Sequence, residues 1–313
     1  MTDTVLAPTR LEAVPLTGTL GAEIRGVDAG RPLDDGTAAE LRAAVLRHKV
    51  VFLRDQQLTY ESQVAFSERF GELTSGHPIF ASAEREPLRR EMDSHKGMRA
   101  NHWHTDLTFV DRPPAFAVLY GVVIPPVGGD TMWADAAAAY ASLPDELRDL
   151  ADRLRIVHSS DSDYTSIYER EAATNEAVAA VHRGMVSQVF QAEHPAVRVH
   201  PETGERSLLL GGFATRVAGL PRQASRDLLR VLQEHVTRPE HTVRWKWRSG
   251  DLAIWDNQAT QHYAVFDYGD ARRVCQRTTV AGPVPVGIDG RPGVALTGDA
   301  SAYYTGATSR NAD

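Results

Sequence analysis

Arg272-Arg273-Val274-Cys275-Gln276-Arg277-Thr278-Thr279-Val280 has the alternation of a β-strand, which sets Arg273, Cys275, Arg277 and Thr279 on one face and Arg272, Val274, Gln276 and Thr278 on the other. Arg273 and Arg277 are then roughly 13 Å apart at ~3.3 Å per residue. Two guanidinium groups on an inward face are costly to bury unless anions pair with them. Arginine also carries the planar fork that matches a carboxylate or a sulfonate. The strand therefore predicts a site built for two acids at once.

Upstream lie His262 and, much further back, Trp103-His104-Thr105-Asp106. On a strand His104 and Asp106 point the same way while Thr105 turns aside. If His262 joins them, two histidines and one carboxylate occupy one face of a metal, the set that suits non-haem Fe(II) oxygenases and leaves the opposite face open. The same three side chains also suit zinc with an open fourth position. With 12 histidines and roughly two dozen aspartates, about one His-x-Asp arises by chance. The pair gains weight only beside the arginine strand.

Five segments together, WHTDLTF (103–109), GGDTMW (128–133), GGFATR (211–216), DLAIWDNQATQHYA (251–264) and RRVCQRTTVAG (272–282), resemble the TauD/TfdA branch of the Fe(II)- and 2-oxoglutarate-dependent dioxygenases. The likeness is to its taurine dioxygenase and alkylsulfatase members and runs from about residue 11 to 282. It implies an α+β fold whose core is a double-stranded β-helix, or jelly roll, decorated with helices, with iron in the mouth between two sheets. It implies His104, Asp106 and His262 as Fe(II) ligands, with 2-oxoglutarate and O2 taking the remaining positions. Arg273 matches the arginine that fixes the distal carboxylate of 2-oxoglutarate, and Thr131 matches the hydroxyl that helps it.

On the substrate side, Arg277 matches the arginine for the anionic group of the prime substrate and His77 a substrate-binding histidine. Phe213 matches an aromatic wall and Leu107 an apolar contact. Phe80 stands where the taurine enzyme has a tyrosine, and an expected asparagine before the metal motif is met by either Asn101 or His102. These departures point away from taurine, toward a less polar acid. The implied reaction hydroxylates a small anionic substrate (a sulfonate, a sulfate ester or a carboxylate) as 2-oxoglutarate becomes succinate and CO2. Asp106 argues against a halogenase, since those relatives replace the carboxylate. Relatives of this kind are commonly dimers or tetramers.

Bulk properties agree with a small-molecule enzyme. A net charge of -7 and a pI near 5.9 give no basic footprint for nucleic acid or an anionic membrane. Cys275, the only cysteine, excludes an intrachain disulfide and reads as a small buried hydrophobe. No apolar run approaches the ~20 residues of a transmembrane helix, and residues 1–10 lack the regions of a signal peptide, so a cytoplasmic protein is expected. The 42% hydrophobic content supports one domain over 11–282, with an N-terminal tail at 1–10 and an irregular C-terminal tail at 283–313.

Periodicity predicts a strand pair over 14–27, a helix over 37–48, a strand at 50–53, and a helix capped by Thr59 and ended by Gly71. An apolar strand is expected over 116–124, and Ser142 with Asp145 reads as a capping box. A helix is predicted near 222–236, with strands at 207–210, 243–247, 252–255 and 272–280. Residues 74–100 and 157–200 read as long excursions, the second with a helix near 168–183. Scattered short strands with peripheral helices argue against a doubly wound sheet. Three rivals stay open: a biosynthetic oxygenase of an amino, fatty or nucleotide-like acid, a zinc hydrolase, and a binding protein for small dicarboxylates.

Overall fold

In the computed structural model, which describes residues 11–79, 85–97, 100–161, 173 and 175–304, the Val274–Val280 strand lies between Phe116–Val123 and Arg89–Asp93, antiparallel to both. Its alternation is as the sequence predicts. Thr278 turns toward the helix Tyr60–Glu68, its hydroxyl 2.7 Å from that of Ser67, while Cys275 joins a tryptophan-rich interior on the other side.

The sheet containing it has seven strands in the order Glu12–Pro15, Ala22–Arg25, Val50–Leu53, Leu252–Asp256, Phe116–Val123, Val274–Val280, Arg89–Asp93. Alternate residues of the middle strands serve two cores. Val51, Leu53, Val118, Leu252 and Ile254 meet Leu41 and Val45 of the helix Asp35–His48 and Val64 and Phe66 of Tyr60–Glu68. Phe52, Leu119, Ala253 and Trp255 face the opposite way, toward Trp133, Trp245 and Trp247. The Phe52 ring stacks on Trp245 at 4.0 Å. At about 1.5–3 kcal/mol per buried large side chain, burial on both faces makes these strands a rigid floor.

Across that interior lies a three-stranded sheet, Thr242–Trp245, Thr131–Asp135 and Thr260–Ala264. A four-stranded sheet, Ala214–Val217, Arg155–Ser159, Gln191–Pro195 and Val294–Thr297, adjoins the site. The architecture is α+β, with helices on the outer side of the seven-stranded sheet. Local signals set the helix starts. Asp34 accepts from the Thr37 amide at 2.9 Å, and Thr59 forms a capping box with Ser62.

Four expectations need correction. Ser142 caps nothing ahead of it; it closes the helix Ala136–Ala141 with its hydroxyl on the Ala139 carbonyl, and the next helix, Asp145–Ala151, starts after Pro144 without a side-chain cap. Residues 74–100 include the strand Arg89–Asp93, whose buried ends are charged and therefore hid it; Arg89 pairs with Glu86 at 2.6 Å and Asp93 with Arg272 at 2.8 Å. Residues 157–200 hold the strands Gln191–Pro195 and Val197–Val199 and, among the described residues, the helix Glu176–Ser187; the first part of the helix expected near 168–183 lies outside the described residues. Buried His158 and His194 broke the apolar pattern there. The tail expected to be irregular contributes Val294–Thr297, which pairs with Gln191–Pro195, and the short helix Ser301–Tyr304. That strand is exposed along its length, so it has no apolar period to read.

Candidate active site

His104 and His262 face each other across a reciprocal backbone pair. The His104 amide donates to the His262 carbonyl at 3.0 Å, the His262 amide donates back at 2.7 Å, and the rings are 4.1 Å apart. Such a pair puts two side chains on one side of neighbouring extended segments. On its other edge His104 bridges Gly211, whose φ of +106° and contact with the His104 backbone exclude a side chain; a Cβ there would lie 2.9 Å from the His104 Cα.

Asp106 does not reach the site by strand alternation, as the sequence suggested. The chain leaves the bridge at His104 and enters a turn, with Leu107 in the left-handed region at φ 54°. Asn257, unassigned from sequence, holds that turn: its Oδ1 accepts from the Asp106 amide at 2.9 Å, and its Nδ2 donates to the carbonyls of Asp106 at 3.3 Å and Pro114 at 2.9 Å. Thr105, turned aside as expected, donates to the Thr260 carbonyl at 2.8 Å.

Candidate ligand atoms of His104, Asp106 and His262 all lie within 4.8 Å of one another, on buried side chains. His104 Nδ1 sits 2.9 Å from the His102 carbonyl oxygen, which places its proton there and presents Nε2 to the carboxylate. Nε2 of His104 and of His262 are each 3.9 Å from an Asp106 oxygen. Burial pushes both imidazoles below their ordinary value, against the opposing pull of Asp106, so they are neutral and able to ligate. Burial alone would raise Asp106, but Arg277, His262 and His104 outweigh it and hold its carboxyl below the usual range. Among the described residues Asp106 Oδ2 is buried with no hydrogen-bond donor. An acceptor of that kind, grouped with two neutral imidazoles, fits a divalent metal.

Arg273 and Arg277 flank this triad on the inner face of their strand, 6% and 7% exposed. Arg273 donates from Nε to the Gly129 carbonyl at 2.9 Å and reaches the Thr131 hydroxyl at 3.4 Å. That hydroxyl also accepts from Trp247 Nε1 at 2.9 Å, a partner the sequence did not single out. A small cavity runs past Thr131, Arg273, Trp255, His262, His104 and Arg277, so both arginines and both histidines line one space. Arg272 faces outward, half exposed, paired with Asp93. Arg277 donates from Nη1 to Asp106 Oδ1 at 2.5 Å, while its Nε is buried with no acceptor among the described residues.

Beyond Arg277 the wall is apolar. Leu107, Phe109, Phe190, Phe213 and Tyr303 pack in one cluster, and Phe213 stands edge-on to His104 at 6.0 Å. His77 lies against Phe109 at 6.3 Å; burial, then Arg90 and Arg277, keep it neutral. His102 stacks on His104 at 4.7 Å. Asn101 is not gathered with the Phe213 cluster; it lines a recess beside Arg273 and Tyr268, and an outer cavity of about 440 Å³ with Trp103 and Tyr263. Phe80 lies outside the described residues.

This chain matches the family described as "Taurine catabolism dioxygenase TauD, TfdA family" over residues 12–279. It is 48% identical over 283 residues to an alpha-ketoglutarate-dependent sulfate ester dioxygenase of Pseudomonas putida, across 90% of this chain and 93% of that one. It is 46% identical over 295 residues to an alkylsulfatase of Acinetobacter baylyi, across 94% and 92%. A solved taurine dioxygenase from Burkholderia xenovorans is similar at a TM-score of 0.80 and 41% identity, across 96% of this chain and 99% of that one.

Proposed function

Because this chain belongs to the TauD/TfdA family and is a 2-oxoglutarate-dependent dioxygenase, we propose that it hydroxylates the carbon bearing the anionic group of an alkyl sulfate ester or alkyl sulfonate. The observation that carries this reading is the placement of two buried arginines, Arg273 and Arg277, on one strand face beside a His104–Asp106–His262 triad. The names of the 48% and 46% identical relatives support a sulfate ester as the first substrate to test.

In this reading His104, Asp106 and His262 hold Fe(II), which supplies the redox activation of O2 when bound. Arg273, steadied by Gly129 and with Thr131 beside it, holds the distal carboxylate of 2-oxoglutarate as a bidentate pair. Arg277, with Nε still unpaired among the described residues, holds the sulfate or sulfonate, and His77 stands near as a neutral partner. Leu107 and Phe213 bound the hydrocarbon and exclude water, with His102, stacked on His104, next to them. Asn101 belongs with the Arg273 side. One atom of O2 enters succinate, formed with CO2 from 2-oxoglutarate, and the other enters the substrate C–H bond. A carbon carrying both hydroxyl and sulfate then releases sulfate and leaves an aldehyde. We read the facing sheets as a double-stranded β-helix.

The test is an anaerobic spectral titration with Fe(II) and 2-oxoglutarate, followed by succinate release across alkyl sulfates, alkanesulfonates, taurine and amino or fatty acids. Sulfate-dependent succinate formation with matching aldehyde is the expected result. Activity that needs zinc and ignores O2 would establish the hydrolase instead, and 2-oxoglutarate binding without any turnover the binding protein.

A further inference from the structure

Tyr303 belongs to the C-terminal segment, yet it is 1% exposed and packs against the same apolar cluster as Leu107 and Phe213. The segment is fastened there at several points. Gly298, at φ +83°, passes so close to Phe190 that a Cβ would lie 2.6 Å from the ring. The Ser75 amide donates to the Tyr303 carbonyl at 3.0 Å. Tyr304 donates to Asp111 at 2.9 Å and accepts from the Arg112 amide at 3.1 Å, tying the segment to the end of the turn that bears Asp106.

Thr279 shares the inner face of its strand with Arg277, one step further along. Its hydroxyl is 2.7 Å from that of Thr74 and 3.4 Å from that of Tyr303. Thr74 can donate to the Thr279 carbonyl at 3.3 Å, which leaves the Thr279 proton for Thr74. The phenol is the member of the three held by the longest contact, so its proton is the one most readily turned to another acceptor. Burial keeps that proton on, with the phenol pushed up to about 12, and the charges of Arg277 and Asp106 both bear on it. A sulfate or sulfonate head has three oxygens, more than one guanidinium can satisfy when one of its nitrogens is already on Asp106.

We propose that Tyr303 positions the prime substrate, its hydroxyl supplementing Arg277 at the anionic head and its ring closing the hydrocarbon wall. This rests on the assignment of Arg277 to the substrate anion made above. A segment outside the motif-bearing region thus sets specificity.

The experiment uses full-length protein with Fe(II) and 2-oxoglutarate. Anaerobic calorimetry measures the Kd of hexyl sulfate, and steady-state assays give KM for hexyl sulfate and for 2-oxoglutarate in wild type, Tyr303→Phe and Tyr303→Leu. Loss of one hydrogen bond to a charged group predicts a rise of about 10-fold in Kd and KM for hexyl sulfate in Tyr303→Phe, with the 2-oxoglutarate KM within about twofold. Tyr303→Leu should add a loss that grows from butyl to octyl sulfate. Tyr303→Phe keeps the ring, so it decides the hydroxyl's role even if the leucine variant fails to fold. Unchanged hexyl sulfate binding in Tyr303→Phe, or equal rises for both substrates, overturns the inference alone. A wild-type protein that binds neither hexyl sulfate nor hexanesulfonate overturns the substrate reading and this inference with it.

Discussion

Arg277 Nη1 donates to Asp106 Oδ1 across 2.5 Å, with side-chain exposures of 8% and 4%. The arginine offered to the substrate anion thus touches a carboxylate offered to the metal. In the proposed reading the substrate and metal subsites therefore share one ion pair, and neither partner can be removed without leaving the other charged and buried.

Asp106→Ala should abolish coupled succinate formation while circular dichroism stays native. Because Arg277 is left without its carboxylate, the urea midpoint should fall by an amount equivalent to about 3–5 kcal/mol, the usual cost of breaking a buried pair. Normal turnover in this variant would remove Asp106 from the ligand set.

The two arginines should separate kinetically. Arg273→Ala is expected to raise the KM for 2-oxoglutarate, and Arg277→Ala that for the alkyl sulfate, each by about 10- to 100-fold for a lost charge-assisted contact. Equal effects of either variant on both substrates would mean the assignments are wrong.

Gly211→Ala places a Cβ 2.9 Å from the His104 Cα at a φ of +106°. His104 or its bridge to His262 must shift. We expect weaker Fe(II) binding in an anaerobic titration together with a stability loss of about 1–3 kcal/mol for strain of this kind, read as a lower Tm. Unaltered metal affinity would show that the bridge tolerates displacement.

His194 and His158 lie buried under the Asp106 turn; His194 Nε2 contacts the Thr108 and Val110 carbonyls, and His158 Nδ1 lies 2.8 Å from the Thr108 hydroxyl. Burial lowers His194 from 6.5 to about 4 and takes His158 well below its usual value. Below pH 6.5 the unfolded chain takes up protons that the folded chain refuses. Stability should therefore fall as the pH drops from 6.5 toward about 4, by about 1.4 kcal/mol per unit for each such histidine. Urea midpoints at successive pH values measure the slope, and His194→Leu should make it shallower. An identical slope in that variant would remove His194 from the effect.

The inner arginine face was legible because period-two alternation is a local property of the chain, and it placed Arg273 and Arg277 together without knowledge of their neighbours. The helix start at Thr59 was legible for the same reason, since a cap lies within three residues of what it caps, whereas the first helix begins at Asp35, two residues before the expected 37, with Asp34 as its cap. Segments whose buried faces carry charge or imidazole, such as Arg89–Asp93 and the strands bearing His158 and His194, escaped a reading that weighs only apolar period.

By itself the sequence determined which side chains could hold a metal and two acids, because residue chemistry and strand alternation are written in order along the chain. Only the tertiary structure decided how they meet. His104 reaches His262 through a bridge between distant segments, Asp106 arrives on a turn held by Asn257, and Tyr303 is carried to Thr279 by a segment with no apolar signature of its own. Those approaches are set by long-range burial and hydrogen bonding, which no short stretch of sequence contains.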